Sequence, residues 1–115
     1  MSFLSKIFGE PLPTVTASEL FEKIKTDKKL FLLDVRQPEE YLNSHIAGSK
    51  LIPLGDLKNQ LHKIPKDRTI TCICASGSRS TSAARFLADQ GYTVINLKSG
   101  MMSWKMAKYP VEKGK

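Results

Sequence analysis

Residues 72–80, CICASGSRS, hold most of the side chains in this chain that could do covalent chemistry. A packed core would not use three serines and a glycine there, and a flexible linker would need neither the cysteine nor the arginine. The apolar run TITCIC ending at Cys74 predicts a strand, and the residues from about Ser78 to Ser80 predict the start of a helix. Ala75, Ser76 and Gly77 between them are small enough to let the backbone curl around the Cys74 sulfur, and Gly77 can take dihedrals that other residues resist. Consecutive N–H groups of such a curl point inward as an anion nest, and the helix start adds unpaired N–H groups and a positive dipole end. Arg79 adds a permanent, forked cation. Together these features lower a thiol pKa and favour a Cys74 thiolate near neutral pH. Such a nucleophile attacks electrophiles, and the cradle then holds a transferred anionic group. A cysteine before a tight turn is more often structural than catalytic; cysteine, glycine and arginine at this spacing reverse those odds. Cysteine phosphatases need Cys-x5-Arg, a loop wide enough for phosphate oxygens. Here Arg79 comes one residue sooner and Ser80 stands in its place, a smaller cradle suited to one sulfur atom held as a persulfide.

The remaining reactive residues are sparse. Cys72 lies too near Cys74 along one strand for an easy disulfide, and it is expected on the same face, deeper in the sheet. The pair is not CxxC, and no second Cys/His pair completes a zinc set. His45 and His62 are isolated; His45 is expected to brace a turn. Asp34 ends an apolar strand and is expected to brace the site, pairing with an arginine or a neighbouring loop. Arg36 is placed at the mouth of the pocket. No metal and no organic cofactor is called for.

The elements that must position this loop follow from the pattern. TVTASELFEKIKTD has a capping box, Thr16 with Glu19, and then Leu20, Phe21 and Ile24 on one helical face. LFLLDV is an apolar run expected of a strand covered on both sides. In PEEYLNS, Pro38 opens a helix with acids in its first turn. KLIPL, RTITCIC and YTVINL predict strands. GDLKNQLHKI, RSTSAARFLADQ (stopped by Gly91) and GMMSWKMAKY (up to Pro110) predict helices. Strands alternating with helices predict an α/β domain with a mostly parallel sheet, helices on both faces, and ligands beyond the carboxyl ends of the strands. Cys74 falls at that edge. Trp104, Met101, Met102 and Met106 are expected in the core or at its rim.

At 115 residues and 41% hydrophobic, the chain suits one compact domain with a real core. Its net charge of +7 favours anionic partners without naming one. No cluster of aromatic and basic residues suggests a nucleic-acid platform. No stretch is long and apolar enough for stable membrane insertion. Phe3, Leu4, Ile7 and Phe8 have helical spacing in a start that lacks the marks of a signal peptide; a short arm packing on its own domain is expected there. Free thiols suit a reducing compartment, so a cytoplasmic location is expected.

Three blocks in order carry a resemblance. CASGSRS is similar to the C-x-x-G-x-R-S loop of the rhodanese sulfurtransferases in their small single-domain form. LLDVRQPEEYLNSHIAGSKLIPL resembles that family's D-V-R-x-x-x-E-[FY] and G-H-I-x-G-A stretch, and GYTVINLKSGMMSWKMAKYPV resembles its closing G-[FY]-x-x-V-x-x-L-x-G-G-x-x-x-W stretch. Ser44, Ala47, Ser49, Ser99 and Lys108 depart from the pattern, all outside the loop. The resemblance implies a rhodanese-like domain over residues 14–111, with an arm at 1–13 and a tail at 112–115, built on a five-stranded parallel sheet. It implies that Cys74 takes sulfur from thiosulfate or a related small anionic donor and passes the persulfide sulfur to cyanide or a thiol. The N–H groups of Ala75, Ser76, Gly77, Ser78, Arg79 and Ser80 would stabilise the persulfide, and Arg79 would help hold the donor. Asp34 and Arg36 would support the site from behind. A rival of another class is a sulfur carrier that relays persulfide sulfur to a protein acceptor, with low activity on free thiosulfate. A phosphatase is disfavoured by loop length, and an inactive regulatory domain by the presence of both Cys74 and Arg79.

Overall fold

The computed structural model of the protein describes residues 11–115; the apolar spacing at Phe3, Leu4, Ile7 and Phe8 lies outside them. Five parallel strands form one sheet: β1 (Thr14–Val15), β2 (Phe31–Asp34), β3 (Lys50–Leu51), β4 (Thr69–Ile73) and β5 (Thr93–Leu97), in the order β1-β5-β4-β2-β3. Helices α1 (Ala17–Thr26), α2 (Pro38–Asn43) and α3 (Ser78–Asp89) lie between strands, and α4 (Gly100–Met106) follows β5. The expected fold class is therefore the observed one.

Side chains alternate across the sheet, as strand geometry requires. Leu33, Val35, Ile70, Cys72 and Cys74 face Ala83, Ala84 and Leu87 of α3 together with Leu57 and Ile64. Leu32, Ile73 and Leu97 face Ala17 and Leu20 of α1 and Met101 and Trp104 of α4. The start of α1 is closed as a capping box: Glu19 N donates to Thr16 Oγ1 (3.1 Å) and Thr16 N to Glu19 Oε1 (2.9 Å). Trp104 is fully packed, its Nε1 donating to Pro110 O at 2.9 Å, while Met102 and Met106 are exposed. No helix among the described residues is long and apolar enough to cross a membrane.

Three local expectations differ from the structure. The segment GDLKNQLHKI is not one helix but two 3-10 turns, Leu54–Asn59 and Leu61–Lys63. Pro53 and Pro65 bound it closely, and the tighter turns, such as Gln60 N to Leu57 O (3.0 Å), still bury Leu57 and Ile64. α4 stops at Met106 rather than at Pro110, because Lys108 turns left-handed (φ 62°) and Tyr109 folds back, its N–H on Trp104 O and its ring 4.3 Å from that of Phe21. Strand β1 was not among the expected strands; two residues carry no periodicity, and pairing with β5 creates it.

Candidate active site

β4 lies in the middle of the sheet, between β5 and β2, and Cys74 is the first residue past its carboxyl end. The chain curls through Ala75 and Ser76 to Gly77, whose left-handed conformation (φ 106°) turns its N–H back to Cys74 Sγ at 3.0 Å. α3 starts at the next residue, as expected, and the Ser80 N–H in its first turn reaches the same sulfur. Thr81 ties the curl shut from the helix side, its hydroxyl donating to Gly77 O at 2.6 Å, and the Ser80 hydroxyl lies 3.2 Å from the same oxygen.

A second element holds the loop from across the sheet edge. Met101 N donates to Cys74 O (2.8 Å) and Met102 N to Ala75 O (3.0 Å), so the first turn of α4 grips the first two loop carbonyls. This approach needs Gly100: a β-carbon there would collide with Cys74 O and lie 2.9 Å from the Ala75 carbonyl carbon, and its φ is 52°. Gly100 was not among the expected site residues, although it stands in the closing block on which the resemblance rests.

The two thiols have opposite environments. Cys74 exposes none of its surface in the resting loop, and burial is the largest influence, opposing its ionisation. Hydrogen bonds from the Ser80 side chain and from the backbone of Ser80, Gly77 and Ser76 together outweigh that burial and hold the thiol below its ordinary value. Cys72, two residues deeper on the same face, is pushed up to about 12, first by burial and then by the neighbouring Cys74. Both cysteines are free. The loop thus favours the ionised form of one thiol, and burial favours the neutral form of the other.

Asp34, Arg36, Glu40 and Arg79 around the loop are paired, whereas Lys105 nearby makes no ion pair among the described residues. Asp34 and Arg36 form a buried, forked pair: Arg36 Nε lies 2.9 and 3.1 Å from the two carboxylate oxygens, and Nη2 lies 2.8 Å from Oδ2. Arg36 Nη2 also donates to Ser44 O (2.7 Å), clamping the end of α2 to the end of β2. Asp34 is thus a brace that pairs with an arginine, and Arg36 also lines a cavity of about 320 Å³ beside the loop, with Glu40, Asn43, Ala75, Met101, Met102 and Lys105. Arg79 does not present a free fork. Its Nη1 and Nη2 donate to Glu40 Oε1 and Oε2 at 2.7 and 2.8 Å. That contact with Arg79 is the main reason the Glu40 carboxyl is lowered to about 2, against a burial effect that raises it. The sequence placed Glu40 as an acid in a first helical turn, which the Gln37 N–H to Glu40 Oε1 bond (2.8 Å) also shows, and as the acid of the D-V-R-x-x-x-E-[FY] block, without a partner for it. The signal for its second partner was the loop arginine itself, but the 39-residue separation hid the pairing.

His45 braces a turn: its Nδ1 is 2.8 Å from Tyr41 O and its ring stacks on Tyr41 at 3.7 Å. His62 lies on the second 3-10 turn.

The comparisons agree with this geometry. A model of the rhodanese-like domain matches residues 16–107. The chain is 35% identical over 91 residues to the putative sulfurtransferase YtwF of Bacillus subtilis, covering 79% of this chain and 88% of that protein. It is 38% identical over 94 residues to the putative sulfur carrier protein YrkF of the same organism, covering 81% of this chain but only 51% of that protein. A rhodanese-related protein from Thermoplasma volcanium superposes with a TM-score of 0.81 at 34% identity, covering 87% of this chain and 97% of its own. With a match over most of its length, with the same fold, and with a cradled cysteine at the carboxyl end of the central strand, the chain belongs to the rhodanese-like family of sulfurtransferases and sulfur carriers.

Proposed function

We propose that the protein is a sulfurtransferase that carries sulfane sulfur as a persulfide on Cys74. The observation that carries this is the Gly77 N–H donated to Cys74 Sγ within a loop that also lowers the thiol pKa. In the first half-reaction the Cys74 thiolate attacks the outer sulfur of the donor. With thiosulfate, a sulfur–sulfur bond forms at Cys74, the donor's sulfur–sulfur bond breaks, and sulfite leaves with the electron pair. In the second, an acceptor thiolate or cyanide attacks the terminal sulfur and Cys74 leaves as thiolate. The backbone N–H groups of residues 75–80 would stabilise the anionic persulfide where it forms. Asp34 and Arg36 serve by fixing α2 against β2, which keeps the loop's neighbour in place. Arg79, whose terminal nitrogens are taken by Glu40, serves by tying the first turn of α3 to α2 beside the loop. The cradle suits sulfur rather than phosphate because the loop closes around one atom.

Transfer to a protein acceptor is the second use we assign to the site, favoured by the similarity to a sulfur carrier protein. We place the protein in a reducing, cytoplasmic setting, since a persulfide cycle needs Cys74 free and Cys72 unbridged. Intact mass after incubation with thiosulfate or an alkyl persulfide tests the proposal. One added sulfur atom, located on Cys74, is expected in the wild type and in Cys72→Ser, and none in Cys74→Ser. Sulfur on Cys72 with an unmodified Cys74 would overturn the assignment.

A further inference from the structure

The cavity of about 320 Å³ beside the loop is roomier than cyanide or thiosulfate needs. Its volume is about ten times the share of liquid held by one water molecule and stands at the low end of sites for small organic molecules. Its walls are mixed. Arg36 and Glu40 line it, but each is closed by a partner, Asp34 and Arg79. Lys105 is the lining cation that makes no ion pair among the described residues. Met101 and Met102 supply an apolar wall, and Met102 is 53% exposed, an apolar side chain the core does not use.

These residues stand in order along α4. Met101 N and Met102 N hold the carbonyls of Cys74 and Ala75, so this end of the helix is fixed to the reactive loop. Lys105 follows Met101 by four residues and Met102 by three, the spacing that puts side chains on one helical face. One turn of rise carries its backbone about 6 Å from Met101. Helical side chains lean toward the N-terminus, here back toward the loop. Outward from Cys74, α4 therefore offers an apolar step and then a positive charge.

We propose that Lys105 is a specificity-determining residue for the sulfur acceptor: it binds the carboxylate of a low-molecular-weight thiol whose alkyl stem lies on Met101 and Met102. The inference rests on sulfur transfer through Cys74. In that step the acceptor thiolate attacks the terminal sulfur of the Cys74 persulfide. A sulfur–sulfur bond forms to the acceptor, the bond to Cys74 breaks, and Cys74 leaves as thiolate with the electron pair. Any proton on the terminal sulfur moves with it. A carboxylate on the acceptor brings further negative charge to a site that already holds anionic sulfur, and Lys105 offsets it. A neutral thiol gains nothing from that charge.

The probes are 3-mercaptopropionate and its neutral amide, which share a stem and differ in charge. The protein is first loaded with sulfur by the persulfide of 2-mercaptoethanol, and the readout is kcat/KM for discharge of Cys74. The ratio of acid to amide is compared between proteins, so the intrinsic reactivities of the two thiols cancel. In Lys105→Met the ratio should fall about fivefold through a higher KM for the acid, the size of one partly exposed charge pair. Lys105→Glu should lower it further, and added salt should narrow these differences. Lys105→Arg should keep the wild-type ratio, which a role in packing alone would not produce. Loading by thiosulfate is measured on the same variants. A ratio unmoved in both Lys105→Met and Lys105→Glu overturns the proposal and leaves sulfur transfer intact. So does an effect confined to thiosulfate loading, which would give Lys105 to the donor instead. Wild-type protein that takes sulfur from neither donor overturns sulfur transfer, and this inference with it.

Discussion

At the scale of single residues, the site depends on which polar group each side chain meets. Cys74 and Cys72 differ by two positions, yet hydrogen bonds lower one thiol and burial raises the other to about 12. Glu40 is the residue with the clearest pH signature. Its carboxyl falls from 4.5 to about 2 in the folded protein, chiefly through Arg79. A depressed carboxyl contributes stability above its unfolded pKa and loses it as pH falls through the folded one. The wild type should therefore melt above Glu40→Gln at pH 6, and the gap should close between about pH 4.5 and 2. Glu19 is also lowered, but it is present in both proteins and cancels. Thermal melts of the two proteins at a series of pH values check this; a gap that is constant across that window would remove the Glu40–Arg79 pair as a source of stability.

Among the elements, the join between the loop and α4 is the most constrained. Ser99 (φ 58°) and Gly100 (φ 52°) both adopt left-handed backbone, which lets the Met101 and Met102 N–H groups reach Cys74 O and Ala75 O. The serine keeps the conformation at a cost that glycine avoids, so the departure at Ser99 strains the turn and preserves its shape. Ser99→Gly should stabilise the protein by about 0.5–1 kcal/mol, the left-handed penalty less the extra chain entropy of glycine. Gly100→Ala should destabilise by about 3 kcal/mol and abolish sulfur loading, because its methyl overlaps backbone rather than a movable side chain. Urea denaturation of both variants, with the loading assay beside it, distinguishes the outcomes; a Gly100→Ala protein of wild-type stability would refute the close contact. Ser44, by contrast, sits in extended backbone that any residue adopts.

For the whole molecule, the end of the described chain closes over α2. Glu112 pairs antiparallel with His45 (2.9 and 2.8 Å), and Gly114 N donates to Leu42 O (2.8 Å). These bonds reach the helix that carries Glu40 and the strand-end clamp of Arg36 on Ser44. Truncation after Val111 should lower stability by about 1–2 kcal/mol, as expected for a few partly solvated backbone bonds. It should also raise amide hydrogen exchange at His45 more than at β4. Unchanged exchange at His45 would show that the tail does not secure α2.

Local chemistry determined much of this protein in advance. The curl around Cys74, the capping box at Thr16, the Pro38 helix start, the parallel α/β class and the core roles of Met101 and Trp104 each depend on neighbours within a few residues, or on a periodicity that sequence displays directly. Only the tertiary structure decided the rest. Glu40 meets Arg79 across 39 residues, α4 grips the carbonyls of a loop more than 20 residues before it, and β1 exists because β5 is beside it. Those contacts are set by strand order and helix placement, and no local propensity encodes which carboxylate an arginine fork will find once the sheet has brought the ends of β2 and β4 together.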